Sequence, residues 1–223
     1  MGSDAEIDAE KRLAAEAAAE LVEDGMRVGL GTGSTVAHLL PALAARGLAL
    51  RCVATSPETD DAARELGLHV VPFADLDRLE IAIDGADQVT PDGWLVKGGG
   101  GAHTREKIVA AAAERFVVIV DSTKPVEAIQ APIPLELHRF GLQATLRELG
   151  EVELRDADPS PDDGLIPSGW HGYTYSTVSD STSSPRAIST SATNAGGNSP
   201  CSTTPGVSAS RIAIAIGSRI SPV

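Results

Sequence analysis

The residues best placed for chemistry surround a run of glycine. Lys97 precedes Gly98, Gly99, Gly100 and Gly101, and Ala102-His103-Thr104-Arg105-Glu106-Lys107 follows. Successive glycines cost conformational entropy and pack nothing, so such a run suggests a backbone that must approach a ligand closely. Glu106 falls in the first turn of the helix predicted next, with Thr104 as a plausible N-cap. A carboxylate there is ordinarily a capping or dipole partner. Beside a glycine-lined pocket it could equally act as a general base. Arg105 and Lys107 would lower its pKa if they faced it, and burial would raise it. His103 is an acid–base candidate, although a lone histidine beside a glycine loop is more often structural.

Three further polar clusters each follow an apolar, strand-like run. Gly31-Thr32-Gly33-Ser34-Thr35 offers free backbone N–H groups and hydroxyls at a helix start, a setting that favours a phosphate. It is neither a Walker loop nor a full dinucleotide fingerprint, and Ser34 or Thr35 could be a plain N-cap. Asp84-Gly85-Ala86-Asp87 sets two carboxylates around a turn; they suit sugar hydroxyls, while a metal role lacks a histidine at ligand spacing. Asp121-Ser122-Thr123-Lys124 carries one of only four lysines in the chain, the others being Lys11, Lys97 and Lys107. Lysines retained at strand ends in such a chain stand out as anion contacts, with solvated surface charge as the alternative.

The elements that hold these clusters alternate. Helices are expected at 4–23, 36–45, 58–66 and 104–113, and strands at 26–30, 50–54, 69–71, 80–83 and 116–120. This predicts an α/β fold, a mostly parallel Rossmann-like sheet with helices on both faces, whose ligands bind at the carboxyl ends of the strands. Residues 1–130 form the expected catalytic domain. Residues 131–165 open a smaller α+β domain, with a helix at 142–149 and a strand at 151–154, then a loop from 156.

These blocks, in this order and spacing, resemble the type A ribose-5-phosphate isomerases. The resemblance implies a metal-independent, cofactor-free, cytoplasmic aldose–ketose isomerase, commonly oligomeric (a dimer or tetramer), that interconverts D-ribose 5-phosphate and D-ribulose 5-phosphate in the non-oxidative pentose phosphate pathway. It implies Glu106 as the base. Lys97 and the N–H groups of Gly98, Gly99 and Gly100 would stabilise the enediolate. Asp84 and Asp87, with Gly85 and Ala86 between them, would hold the sugar hydroxyls and help to open the ring. Thr32, Gly33, Ser34, Thr35, Lys11 and Lys124 would receive the phosphate and nearby hydroxyls.

Composition supports a small-molecule partner. The net charge of −13 opposes a nucleic-acid groove, and no apolar run reaches the ~20 residues of a membrane helix. No signal peptide is evident at the start. A non-catalytic sugar-phosphate sensor is the competing class. The absence of a DNA-binding helix-turn-helix before residue 26 counts against it. The acidic, lysine-poor front part fits a salt-loving source as well as ordinary acidic composition.

The chain changes character near Ile166. Residues 166–223 hold 14 Ser and 7 Thr, a single acid (Asp180), and no Leu, Lys or Glu. Ile166-Pro167-Ser168-Gly169 stands where the family has a Thr-Asp-Asn-Gly-Asn-like motif, and no Gly-Leu-Phe follows Pro205-Gly206-Val207. Residues 166–223 are therefore expected to be out of frame, disordered or divergent, and an inactive isomerase is one outcome. Within them, 176–204 reads as a disordered tract and 211–220 as a strand.

Overall fold

The structure is a computed structural model and describes residues 3–138, 141–149, 152–154, 172–176, 212–216 and 219–222. Its centre is a sheet in the order β11-β10-β6-β3-β1-β2. The strands are β1 (Arg27–Leu30), β2 (Arg51–Ala54), β3 (Leu79–Asp84), β6 (Ala113–Val120), β10 (Ile212–Ile216) and β11 (Arg219–Pro222). All neighbours are parallel except β10 and β11. The expected parallel sheet is present, and its alternation of inward residues explains the helices on both faces. Val117 and Ile119 of β6 join the core that holds Leu39, Leu43 and the alanines of α1 (Asp4–Ala19) and α2 (Ser34–Ala45). Phe116, Val118 and Val120 point to the opposite face, against Val109 and Ala110 of α4 (His103–Ala112). Burying each such aliphatic side chain contributes about 1.5–3 kcal/mol, which lets a core poor in aromatics hold together.

Register fixes where the loops begin. Leu30 pairs with both Ala54 and Ile83, Asp84 with Val118, and Val120 with Ile216. The carboxyl ends of these strands are therefore nearly level, and the polar clusters after β1, β3 and β6 leave the sheet side by side.

The helices start and stop for local reasons. Ser3 and Glu6 form a reciprocal capping box that starts α1. α1 ends at Ala19, short of the expected residue 23. Leu21 and Val22 close with tighter i→i+3 bonds, and the guanidinium of Arg46 donates to the carbonyls of Ala19 and Val22. Ser56 caps α3 (Pro57–Glu65), with Pro57 at the first helical position.

Several local expectations are corrected. Residues 69–71 form no strand; Val70 makes a single parallel bridge to Cys52, and Pro72 opens a 3-10 turn at Phe73–Asp75 that ends the pairing. Neither Ser34 nor Thr35 caps α2, because Gly33 is the N-cap and Ser34 is already helical. Thr104 is not the cap of α4 either; Ala102 holds that position without a side-chain bond. A two-stranded hairpin, β4 (Gln88–Val89) with β5 (Leu95–Val96), was not expected.

A separate antiparallel sheet in the order β7-β9-β8 contains β7 (Pro134–His138), β8 (Glu153–Leu154) and β9 (Gly172–Ser176). The helix expected at 142–149 is α5 (Leu142–Leu149), and the strand expected at 211–220 is divided between β10 and β11. The expected loop at 156–165 and almost all of the tract at 176–204 lie outside the described residues.

Candidate active site

Asp84 is the last residue of β3 and is buried at 3% exposure. Its Oδ1 accepts from the backbone N–H of Thr32 at 3.1 Å and of Gly85 at 2.7 Å. Its Oδ2 lies 2.9 Å from Lys97 Nζ. The aspartate thus ties the loop after β1 to the loop after β5. Gly31 makes this approach feasible: a Cβ there would stand 2.0 Å from Asp84 Oδ1. Sequence inspection named the turn but gave no reason for its first glycine.

Lys97 also donates to the carbonyl of Gly85 and lies 3.4 Å from Glu106 Oε1. Burial works to lower its pKa, but the carboxylates of Asp84 and Glu106 outweigh that and hold it above the ordinary lysine value. Lys97 is accordingly a cation.

Glu106 sits in the first turn of α4 at 4% exposure. Burial, with the nearby charge of Asp84, raises its carboxyl to about 7 against the pull of Lys97. Its Oε2 is buried with no hydrogen-bond partner. Native proteins seldom leave such an atom unsatisfied, and the exceptions concentrate where a ligand or a reaction needs it. Arg105 and Lys107, the neighbours weighed in the sequence, are not among the main influences on its titration.

Asp87 follows on the same loop. Its N–H donates to Val96 O at 2.8 Å, and its Oδ2 accepts from the N–H of Gly99 at 2.8 Å. A Cβ on Gly99 would lie 2.5 Å from Asp87 Oδ1, so the glycine run is pressed against this carboxylate. A Cβ on Gly100 would lie 3.6 Å from Thr32 Cγ2, which brings the run beside the first turn. Gly98 packs against His103 and against Pro134 of β7. Burial, the largest influence on His103, pushes its imidazole pKa down, in keeping with the structural alternative for that residue. Gly85 follows Asp84 beneath Lys97, and Ala86 packs into the core on the α4 face.

A second group lies at the start of α2. Lys11 Nζ reaches from α1 to Ser34 Oγ at 3.0 Å. Thr35 is buried at the head of the helix, and Gly33 precedes it. Lys124 is held by its backbone: its carbonyl accepts from Val89 N–H at 3.0 Å, and its N–H donates to Asp121 O at 3.2 Å. Through Val89, the β4–β5 hairpin therefore links the Asp87, Lys97 and Lys124 loops.

The sequence singled out the Asp121-Ser122-Thr123-Lys124 cluster but not the bonds that brace this end, nor Glu10, Thr55 and Thr59. Asp121, 1% exposed, accepts from the N–H of Thr123 at 2.9 Å and from its hydroxyl. Burial alone would raise its pKa, but the Thr123 bonds, then Lys124 and Lys11, hold it below the ordinary aspartate value. Glu10 Oε2 accepts from Ser122 N–H at 2.7 Å and docks α1 on the same loop. Thr55 meets Thr32 Oγ1 at 2.7 Å, and Thr59 Oγ1 donates to Gly31 O at 2.9 Å. The cluster of hydroxyl residues just after β2, Thr55, Ser56 and Thr59, was the available signal for the threonines.

The arrangement places a titrating buried carboxylate, a buried cation and two aspartates beside a lysine- and hydroxyl-bearing helix start, on the carboxyl edge of a parallel sheet. That is the equipment for moving a proton on a small anionic molecule.

Comparison with known proteins agrees with this chemistry. The family model described as ribose 5-phosphate isomerase A (phosphoriboisomerase A) matches residues 51–171. The chain is 51% identical over 150 residues to ribose-5-phosphate isomerase A of Nitrobacter hamburgensis, covering 66% of this chain and 65% of that protein. It is 42% identical over 188 residues to ribose-5-phosphate isomerase A of Caulobacter vibrioides, covering 81% and 83%. The crystal structure of ribose 5 phosphate isomerase A from Neisseria gonorrhoeae superposes with a TM-score of 0.68 at 33% identity, covering 78% of each chain. A D-ribose-5-phosphate isomerase solved in complex with phospho-erythronic acid gives a TM-score of 0.68 at 31% identity, covering 77% of this chain and 79% of that one. The chain belongs to the ribose 5-phosphate isomerase A family. The match spans just under two thirds of the Nitrobacter protein's length.

Proposed function

We propose that this protein interconverts D-ribose 5-phosphate and D-ribulose 5-phosphate through an enediolate. The observation that carries this reading is the buried, unpartnered Glu106 Oε2, on a carboxyl raised to about 7 beside Lys97 and Asp84. A base must reach the substrate C–H with a free oxygen, and it works best with a pKa near the operating pH.

In this reading Glu106 removes the C2 proton of the open-chain aldose. The electron pair forms the C1–C2 double bond of the enediolate, and the former carbonyl oxygen gains negative charge. Lys97 stabilises that oxygen, and its 3.4 Å contact to Glu106 is the one that yields to substrate. Glu106 then returns the proton to C1 as the carbonyl forms at C2, and the proton of the C2 hydroxyl passes to the oxygen on C1, which becomes a neutral hydroxyl. Asp84 and Asp87 hold the hydroxyls and assist ring opening. The N–H groups of Gly98 and Gly100 assist Lys97, while Gly99 lines the pocket with its own N–H given to Asp87. Lys11, Thr32, Gly33, Ser34, Thr35 and Lys124 hold the phosphate end, with Gly85 and Ala86 shaping the floor. The phosphorylated four-carbon acid named with the relative of known structure suits such a pocket, with charge at both ends.

We place the enzyme in the cytoplasm, in the pentose phosphate pathway, as a homo-oligomer that takes a small sugar phosphate, without metal, cofactor or nucleic acid. Residues 1–130 carry catalysis in this scheme, and 131–165 begin the smaller domain. Sequencing the DNA across codons 160–170 tests whether 166–223 is read in frame. The function itself is tested by following ribose 5-phosphate conversion by the purified full chain, with and without a chelator. Turnover that persists in chelator and vanishes in Glu106→Gln is expected; no conversion by the unaltered protein would overturn the reading.

A further inference from the structure

The helix that carries Glu106 begins without a cap of its own. Ala102 is the N-cap, and an alanine side chain has no acceptor to offer the open N–H groups of the first turn. The first intrahelical bond runs only from Glu106 N–H to Ala102 O, at 2.9 Å. An acceptor arrives instead from the other sheet: Glu136 Oε2, on β7, accepts from Thr104 N–H at 2.7 Å. The same strand begins with Pro134, which packs against the Cβ side of Gly98, next to Lys97. β7 thus touches both the catalytic helix and the glycine run.

We infer that Glu136 is a positioning residue for Glu106, its carboxylate closing the first turn of α4 from the β7-β9-β8 sheet. The reason is geometric. Glu106 is two residues beyond Thr104 in that turn, so a frayed turn would let its carboxylate swing off the proton it must reach. Displacement by about 1 Å at a reacting group can cost on the order of 100-fold in rate. A negative charge at a helix N-terminus is also favourable, because it meets the partial positive charge there.

The charged groups around the pair are accounted for. Asp84 from β3, Asp87 from its loop and Lys97 face Glu106. His103 senses Glu136 together with Lys97, Lys107 and Asp87. Glu136, on β7, bears on this group through His103.

The kinetic part of the test rests on the isomerase reading, so one measurement is independent of activity. Glu136→Met keeps the length of the side chain and removes the acceptor; Glu136→Gln keeps an acceptor and removes the charge. Hydrogen exchange at the Thr104 amide, in the full chain without substrate, reads the bond directly. Exchange should quicken at least tenfold in Glu136→Met and stay near the unaltered rate in Glu136→Gln. With ribose 5-phosphate, kcat should fall about tenfold in Glu136→Met with KM within twofold, and Glu136→Gln should recover most of it. The inference is overturned if Glu136→Met leaves Thr104 exchange unchanged, if its kcat stays within twofold while folded, or if Glu136→Gln falls as far as Glu136→Met. Inactive unaltered protein with the expected exchange pattern would sink the isomerase reading alone and leave the bond established.

Discussion

The ammonium of Lys97 lies 3.4 Å from Glu106 Oε1, while Oε2 of the same carboxylate has no partner. One oxygen is thus anchored near a cation and the other is buried without a hydrogen bond. A general base needs that division of labour, and a purely structural ion pair would leave neither oxygen idle.

Replacing Glu106 with Gln should lower kcat by about 10³-fold, inside the 10²–10⁴ range of general-base contributions, with far-ultraviolet circular dichroism unchanged. In the unaltered protein kcat/KM should rise with pH along a limb centred near 7, since the proposed reaction needs the ionised carboxylate. A limb centred near 4.5 would show that burial does not govern this group.

The same carboxyl has a signature in stability. Its folded pKa of about 7 exceeds the ordinary value of 4.5, so the folded state holds the proton more tightly than the unfolded state. Its contribution is most favourable below pH 4.5 and is lost as pH rises through 7. Thermal melts of Glu106→Gln and the unaltered protein should therefore nearly coincide at pH 5 and separate at pH 8, with the variant melting higher. A gap that is constant with pH would contradict this linkage.

Gly31→Ala adds one methyl carbon 2.0 Å from Asp84 Oδ1. Asp84 must shift, which disturbs its contacts with Thr32 and Lys97 together. We expect kcat to fall by at least about 100-fold and stability to fall by about 1–3 kcal/mol, the usual cost of overpacking. Urea unfolding and initial rates on one preparation measure both, and an unaffected kcat would show that Asp84 is not held as described.

Lys11 should act on binding. Its ammonium meets Ser34 Oγ at the head of α2, the end that the proposed scheme gives to the phosphate. Lys11→Ala should raise KM for ribose 5-phosphate by at least tenfold while kcat changes less than threefold, since hydrogen bonds to charged groups contribute about 1.5–3 kcal/mol. Inhibition by inorganic phosphate should weaken in parallel. A fall in kcat at unchanged KM would move this lysine from anchoring to chemistry.

Much of this is legible in the sequence. The strands β1, β3 and β6 were apolar runs ended by polar clusters, and parallel pairing puts such ends together. Asp84, Lys97 and Glu106, named from residue type and spacing, do converge. What was not readable depends on partners distant in sequence. Glu136 caps a helix 32 positions away, and Glu10 reaches Ser122 across 112 positions. The β4–β5 hairpin is two residues per strand, too short for a period-2 pattern to register. His69-Val70-Val71 carried a strand-like composition, yet only one bridge formed before Pro72. Propensity there was overruled by the turn that follows.

The strand β10, drawn from the compositionally foreign tail, lies alongside β6 for five residues, from Ile212 opposite Phe116 to Ile216 opposite Val120. β6 is the strand that leads into Asp121 and Lys124. Shortening the chain ahead of residue 212 would strip Phe116 to Val120 of β6 of their backbone partners on one side and turn an interior strand into a raw rim. Such a rim invites another molecule to zip onto it, so a clipped protein would be expected to clump before its chemistry could be measured.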